Sequence, residues 1–126
     1  MKTRFALAAV AALTVAVLAG IPSVQAKEGD VVKTGSCSAG SDWKLKLSPD
    51  NSKIEVEFEV DQNKAGEDWR VRILHDDTLV HRETATTGGA SGSFTVRIVE
   101  PDKAGTDSFV AKARNLSSDE TCRGRA

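Results

Sequence analysis

From residue 42 onward, apolar and polar residues alternate with a period of two, the pattern of half-buried strands. "DWKLKLS" sets Trp43, Leu45 and Leu47 against Lys44 and Lys46, and "KIEVEFEV" sets Ile54, Val56, Phe58 and Val60 against Glu55, Glu57 and Glu59. "WRVRILH", "SFTVRIV" and "SFVAKAR" repeat the pattern. Turn residues fall at "SPDNSK", at Asp76 and Asp77, and at "EPDKAG". Together they predict strands over 31–37, 42–48, 53–60, 69–75, 79–84, 93–99 and 108–114, with a stub at Cys122. About seven short strands, turns about every 8 to 12 residues and no helical stripe predict an all-β fold, an antiparallel immunoglobulin-like β-sandwich. Its expected core is Trp43, Leu45, Ile54, Val56, Phe58, Trp69, Val71, Ile73, Phe94, Val96, Ile98 and Phe109.

Registers follow from the same pattern. Placing Leu47 opposite Ile54 sets Lys46 against Glu55 and Lys44 against Glu57, so the glutamate ladder reads as a lysine-paired, solvated strand face. A two-residue turn at Asp76 and Asp77 places Ile73 opposite Val80, Arg72 opposite His81 and Arg70 opposite Glu83. The register one residue away would turn His81 and Glu83 toward the buried side of Trp69, Val71 and Ile73, so burial favours the first. His75 and His81 then project from opposite faces as surface histidines near a turn. That denies them a shared metal, which Asp76 or Asp77 would otherwise complete with an oxygen ligand.

The first residues change the compartment. Lys2 and Arg4 precede an apolar run from Phe5 to Ala19, then Gly20, Pro22 and small residues up to Ala26, the plan of a secretory signal peptide cleaved after Ala26. The run is shorter than the roughly 20 residues a membrane span needs. The organisation is therefore 1–26, a signal peptide, and 27–126, a single β-sandwich domain. The signal holds two of the 17 basic residues and none of the 18 acidic ones, leaving a mildly acidic product. With charges interspersed along the chain, neither nucleic acid nor a membrane is an expected partner. In an exported chain the only two cysteines, Cys37 and Cys122, read as one disulfide near the chain ends. Closing a loop of about 86 residues stabilises by roughly 4 to 5 kcal/mol in the chain-entropy model.

Candidate chemistry is sparse. "DQNKAGEDW" begins like a calcium loop, with Asp61, Asn63 and Gly66 at the first, third and sixth positions, and Asp61, Asn63, Glu67 and Asp68 are the candidate ligands. Ala65 and Arg72 stand where the fifth and twelfth ligands belong, and the flanks are strands, so the stretch reads as a turn. There, Asp61 and Asn63 bond their own backbone and Gly66 supplies a positive φ. "TATTGGASGS" reads as a mobile small-residue loop and misses the GxSxG pattern of a nucleophile elbow. "NLS" at 115–117 matches a glycosylation acceptor whose meaning depends on the host.

The stretches "SDWKLKLSPDNSKIEVEFEVDQN", "GEDWRVRI" and "TCRG", within Cys37 to Gly124, resemble a group of small exported, single-disulfide proteins common in actinobacteria. The topology resembles the immunoglobulin or fibronectin type III class. The resemblance implies a fold and an export route and brings no catalytic residues or cofactor. The expected function is a secreted, non-enzymatic, extracellular binding module for a protein, glycan or cell-wall component. The alternative is a small-molecule carrier or protease inhibitor that uses Thr84 to Ser93 as lid or bait.

Overall fold

The computed structural model describes residues 29–126; the expected signal segment 1–26 and its cleavage point lie outside the described residues. Eight strands run in chain order: β1 (Val31–Ser36), β2 (Asp42–Asp50), β3 (Lys53–Asp61), β4 (Asp68–His75), β5 (Thr78–Thr86), β6 (Ser93–Pro101), β7 (Phe109–Asn115) and β8 (Thr121–Arg125). They form two antiparallel four-stranded sheets, β1-β2-β3-β6 and β5-β4-β7-β8. The fold is the expected all-β sandwich, and the stub at Cys122 is a full strand.

Period-two alternation does what it predicts. Leu45, Val56, Phe58, Val60, Trp69, Val71, Ile73 and Phe109 are sealed between the sheets. Each contributes roughly 1.5–3 kcal/mol over its exposed state. Trp43 and Ile98 are only half-buried at the margin of that core. Trp43 has a second role: its indole lies over Gly35 of β1 and Gly124 of β8, where an added Cβ would come within 2.6 and 2.7 Å of the ring. It fills the side of the sandwich where the edge strands of the two sheets meet. The Cys37–Cys122 disulfide joins the end of β1 to β8 on that same side, with Cα atoms 4.4 Å apart.

Both hairpin registers differ from expectation. β2 and β3 turn through Asn51 and Ser52 at φ 48° and 65°, the left-handed pair of a type I′ turn. The strands therefore run through Pro49 and Asp50, and Leu47 pairs with Val56, Lys46 with Glu57 and Lys44 with Glu59. The offset of two residues leaves every side chain on its expected face. Pro49 is tolerated because it lies past the end of β1, whose pairing stops at Leu47.

The turn between β4 and β5 falls at Asp76 and Asp77 as expected, at φ 48° and 66°. Beyond it a bulge at Ile73/Leu74 shifts the register, so Ile73 pairs with His81, Arg72 with Arg82 and Val71 with Glu83. This is the alternative that burial disfavours, and the topology explains why it is allowed. β5 is an edge strand, so His81 and Glu83 point inward yet stay at the rim, with side chains 31% and 41% exposed and bonded to each other at 2.9 Å.

The small-residue stretch after β5 is tied down. Thr87 is buried; its N–H donates to Glu67 O at 2.9 Å, its carbonyl accepts from Gly66 N–H at 2.7 Å, and its hydroxyl donates to Lys64 O at 2.7 Å. At the far end Gln62 N–H donates to Gly92 O at 3.0 Å. Gly92 has φ +62°, and a Cβ there would sit 2.2 Å from the Lys64 backbone nitrogen. The two loops interlock, and only glycine permits the approach. Gly92→Ala is expected to cost about 1–3 kcal/mol, read as a lower urea midpoint with an unchanged slope. An unchanged midpoint would mean that the loops do not interlock in this way.

Candidate functional site

Three places bring chemistry-bearing side chains together, and the first is the calcium-like stretch. Asp61 Oδ1 accepts from Asn63 N–H at 3.0 Å, and Asn63 and Gly66 take positive φ, as expected of a turn. Glu67 Oε1 accepts from the Gln62 and Asn115 side-chain amides, and its other oxygen faces Lys64 Nζ at 3.2 Å. These hydrogen bonds, that from Gln62 foremost, hold the Glu67 carboxyl below its ordinary value. Asp68 accepts from the Thr86 hydroxyl at 2.6 Å. Of the four candidate ligands, Asp61, Glu67 and Asp68 each serve separate neighbours. Through Gln62, which also accepts from Trp69 Nε1 at 3.0 Å, the loop is bound to the core. Asn115 of the "NLS" match is fully buried with its amide donating to Glu67, so it is closed to modification.

The second place, expected at the surface, is interior. His75 is fully buried, stacked on Phe109 with ring centroids 4.2 Å apart. Its inward position is on the same side of the sheet as His81, opposite to expectation, but the two rings have different partners. His75 Nε2 lies 2.6 Å from Asp107 Oδ1, and Nδ1 lies 3.2 Å from Glu100 Oε1. Asp76 Oδ2 stands 3.7 Å from Nε2, while its other oxygen accepts Ser108 N–H at 2.8 Å. Ligand-capable atoms of His75, Asp76 and Asp107 lie within 4.8 Å of one another. Two carboxylates at the two ring nitrogens are both satisfied as acceptors when the ring carries both protons. The cluster ties the end of β4 to the end of β6 and to Asp107 in the loop that follows it. No buried side-chain nitrogen or oxygen among the described residues lacks a partner.

The His75 hydrogen bond, with a smaller contribution from Asp102, holds the Asp107 carboxyl below its ordinary value. A folded value below the unfolded one stabilises above about pH 4 and loses that contribution as pH falls through the folded value. Asp102 is pushed the other way, chiefly by its hydrogen bond to Asp107; its contribution is present below about pH 4 and fades as pH rises. Asp107→Asn is therefore expected to lower the melting temperature at pH 7 and to flatten its fall between about pH 4 and 2. Thermal melts across that range decide it, and an acid limb as steep as in the parent protein would assign the effect elsewhere.

The third place is the outer face of the second sheet. Register aligns Arg82 of β5 with Arg72 of β4, Arg72 with Lys112 of β7, and Lys112 with Arg123 of β8. Four cations thus form one row across all four strands. In the next row Thr84, Arg70, Arg114 and Thr121 align in the same way. Only Arg114 forms an ion pair among the described residues, with Asp119 at 3.6 Å. The rows line an open depression of about 800 Å³ whose one acidic neighbour, Glu83, is held by His81. The first sheet is the opposite case: Lys44 pairs with Glu59 at 4.0 Å, Lys46 with Glu57 at 3.7 Å, and Arg97 with Glu55 at 3.4 Å and with Glu57.

Sequence reasoning took the charges as interspersed, and along the chain they are. The register sorts them by sheet. One signal was readable: the outward positions of "WRVRI" and "AKAR" are all basic and "TCRG" adds Arg123, whereas those of "KLK" and "EVEFE" are complementary.

The chain matches no family model, and no curated protein and no solved structure matches it.

Proposed function

We propose that this chain is an exported, non-enzymatic β-sandwich module that binds its partner through the outer face of β5-β4-β7-β8. The observation that carries this reading is the in-register row of Arg82, Arg72, Lys112 and Arg123, none of which forms an ion pair among the described residues. Like charges directly opposite one another on a sheet are destabilising. A row of them across four strands is a cost to the fold that an anionic partner removes. The disulfide belongs to an oxidising compartment, and with the signal-like segment it supports export. Pairing of β3 with β6 and of β4 with β7 parallels the B–E and C–F neighbours of immunoglobulin-class sandwiches, which supports kinship with that class. The lid or bait reading loses support because Thr87 and Gly92 are bonded to the 62–67 loop.

The chain is expected in culture medium with Lys27 as its first residue, measured by intact mass. Fluorescent protein is expected to be retained on cell-envelope preparations of the source cell and released by salt, as charge-driven binding is. Retention unchanged by Arg72→Gln with Arg82→Gln would remove this face as the binding surface.

A further inference from the structure

We propose that the partner of the cationic face is a linear acidic polysaccharide, carrying a carboxylate or sulfate on successive sugars and lying along the row of Arg82, Arg72, Lys112 and Arg123. The proposal rests on the reading that this face is the binding surface and adds the ligand's chemical class.

The geometry of the rows sets the first requirement. Neighbouring strands lie about 4.8 Å apart and alternate residues of one strand about 6.8 Å apart. The face is therefore a grid of cations with a short, regular pitch. A folded protein partner would need several acids at that pitch on one surface, whereas a polymer with one anion per sugar supplies them by its repeat. Three of the four cations in the row are arginines, whose planar forks bind carboxylate and sulfate oxygens in pairs. Thr84 and Thr121, at the two ends of the second row, add hydroxyls that can both donate and accept from sugar hydroxyls.

What the face lacks sets the second requirement. The chain has no tyrosine; Trp69, Phe58, Phe94 and Phe109 are buried in the core, and Trp43 is packed over Gly35 and Gly124. No aromatic ring lies in either row, so there is no platform on which unpaired bases stack. The aromatic anchors that dominate protein interfaces are also missing. Duplex DNA is read by an element that enters a groove, but these cations sit on the sheet itself. Beyond the cationic row the next aligned residues are Leu79, Leu74, Val110 and Arg125, three apolar side chains and one further cation. Of the apolar three only Leu79 is well exposed, at 44%, which is little apolar area to bury in a bilayer.

The test uses the full secreted chain in solution binding at about 50 and 200 mM NaCl against five immobilised probes. These are polygalacturonate, heparin, neutral dextran, duplex DNA and phosphatidylglycerol vesicles. Binding is expected to polygalacturonate, to heparin or to both, not to dextran, with affinity falling roughly tenfold or more at the higher salt. Preference for polygalacturonate assigns carboxylate as the recognised group, and preference for heparin assigns sulfate. Arg72→Gln with Lys112→Gln is expected to weaken binding at least tenfold. The charge-matched Lys44→Gln with Arg97→Gln, on the other sheet, leaves it within twofold. Melting temperatures confirm that both variants fold. Tighter binding to DNA or to vesicles than to either acidic glycan, lost in the Arg72/Lys112 variant, overturns the ligand class and leaves the binding face standing. No binding to any anionic probe, or equal losses in the two variants, overturns both.

Discussion

Replacing both cysteines, Cys37→Ser with Cys122→Ser, is expected to lower stability by about 4 kcal/mol and the melting temperature by roughly 15–30 °C. The bond spans 85 residues, so in the reduced chain nearly the whole domain regains loop entropy on unfolding. The structure adds a local reason. β1 and β8 are the edge strands of different sheets, and β1 is exposed along most of its length, with Val31 and Val32 at 40% and 41%. The disulfide is the covalent tie that keeps those edges stacked over Trp43. Beside it Glu120, itself buried, accepts from Ala39 N–H, Ser41 N–H and the Ser41 hydroxyl, all within 2.9 Å. The residues that follow Cys37 are thereby fixed to the start of β8. Scanning calorimetry of the double variant and of the parent protein with reductant measures the effect. A drop of less than about 5 °C would mean that Trp43 and Glu120 close that side without the bond.

His75→Ala is the second large effect, with an expected loss of about 3–5 kcal/mol, the cost of removing one partner from a buried charge network. The ring is fully buried against Phe109, and without it Glu100 and Asp107 keep their charges but lose the donor between them. Adding Glu100→Gln and Asp107→Asn to His75→Ala is expected to recover part of the loss, because the two carboxylates that bonded the ring are then uncharged. Urea titrations of the single and triple variants separate the two contributions. If the triple variant is the less stable by the sum of its parts, the three groups act independently and the network reading fails.

His75 also shows where sequence reasoning stops. The alternation of "WRVRILH" places His75 on the side of Trp69, Val71 and Ile73, so its inward direction was readable. Its burial was not, because the carboxylates that make burial tolerable come from Glu100 and Asp107, 25 and 32 residues away. For His81 the physical reason is different: burial dictates register only on a strand with neighbours on both sides, and strand order puts β5 at the edge. The calcium-like loop shows the reverse. Missing ligands and strand flanks argued for a turn, and the structure has the Asp61–Asn63 bond and the positive φ at Gly66 that a turn requires.

Alternation along each strand is a local property, set by the two-residue repeat of the extended backbone. For that reason the sequence by itself determined the all-β class, the approximate positions of the strands and most of the core residues, while a count of two left the cysteines a single intramolecular pairing. Register, strand order and edge position depend on turn geometry, bulges and contacts between distant segments. Only the tertiary structure could therefore bury His75 between two carboxylates, lock the glycine loop against Lys64 and gather scattered arginines into one row. The same seven or eight strands paired in another order would carry the same charges and have no cationic face.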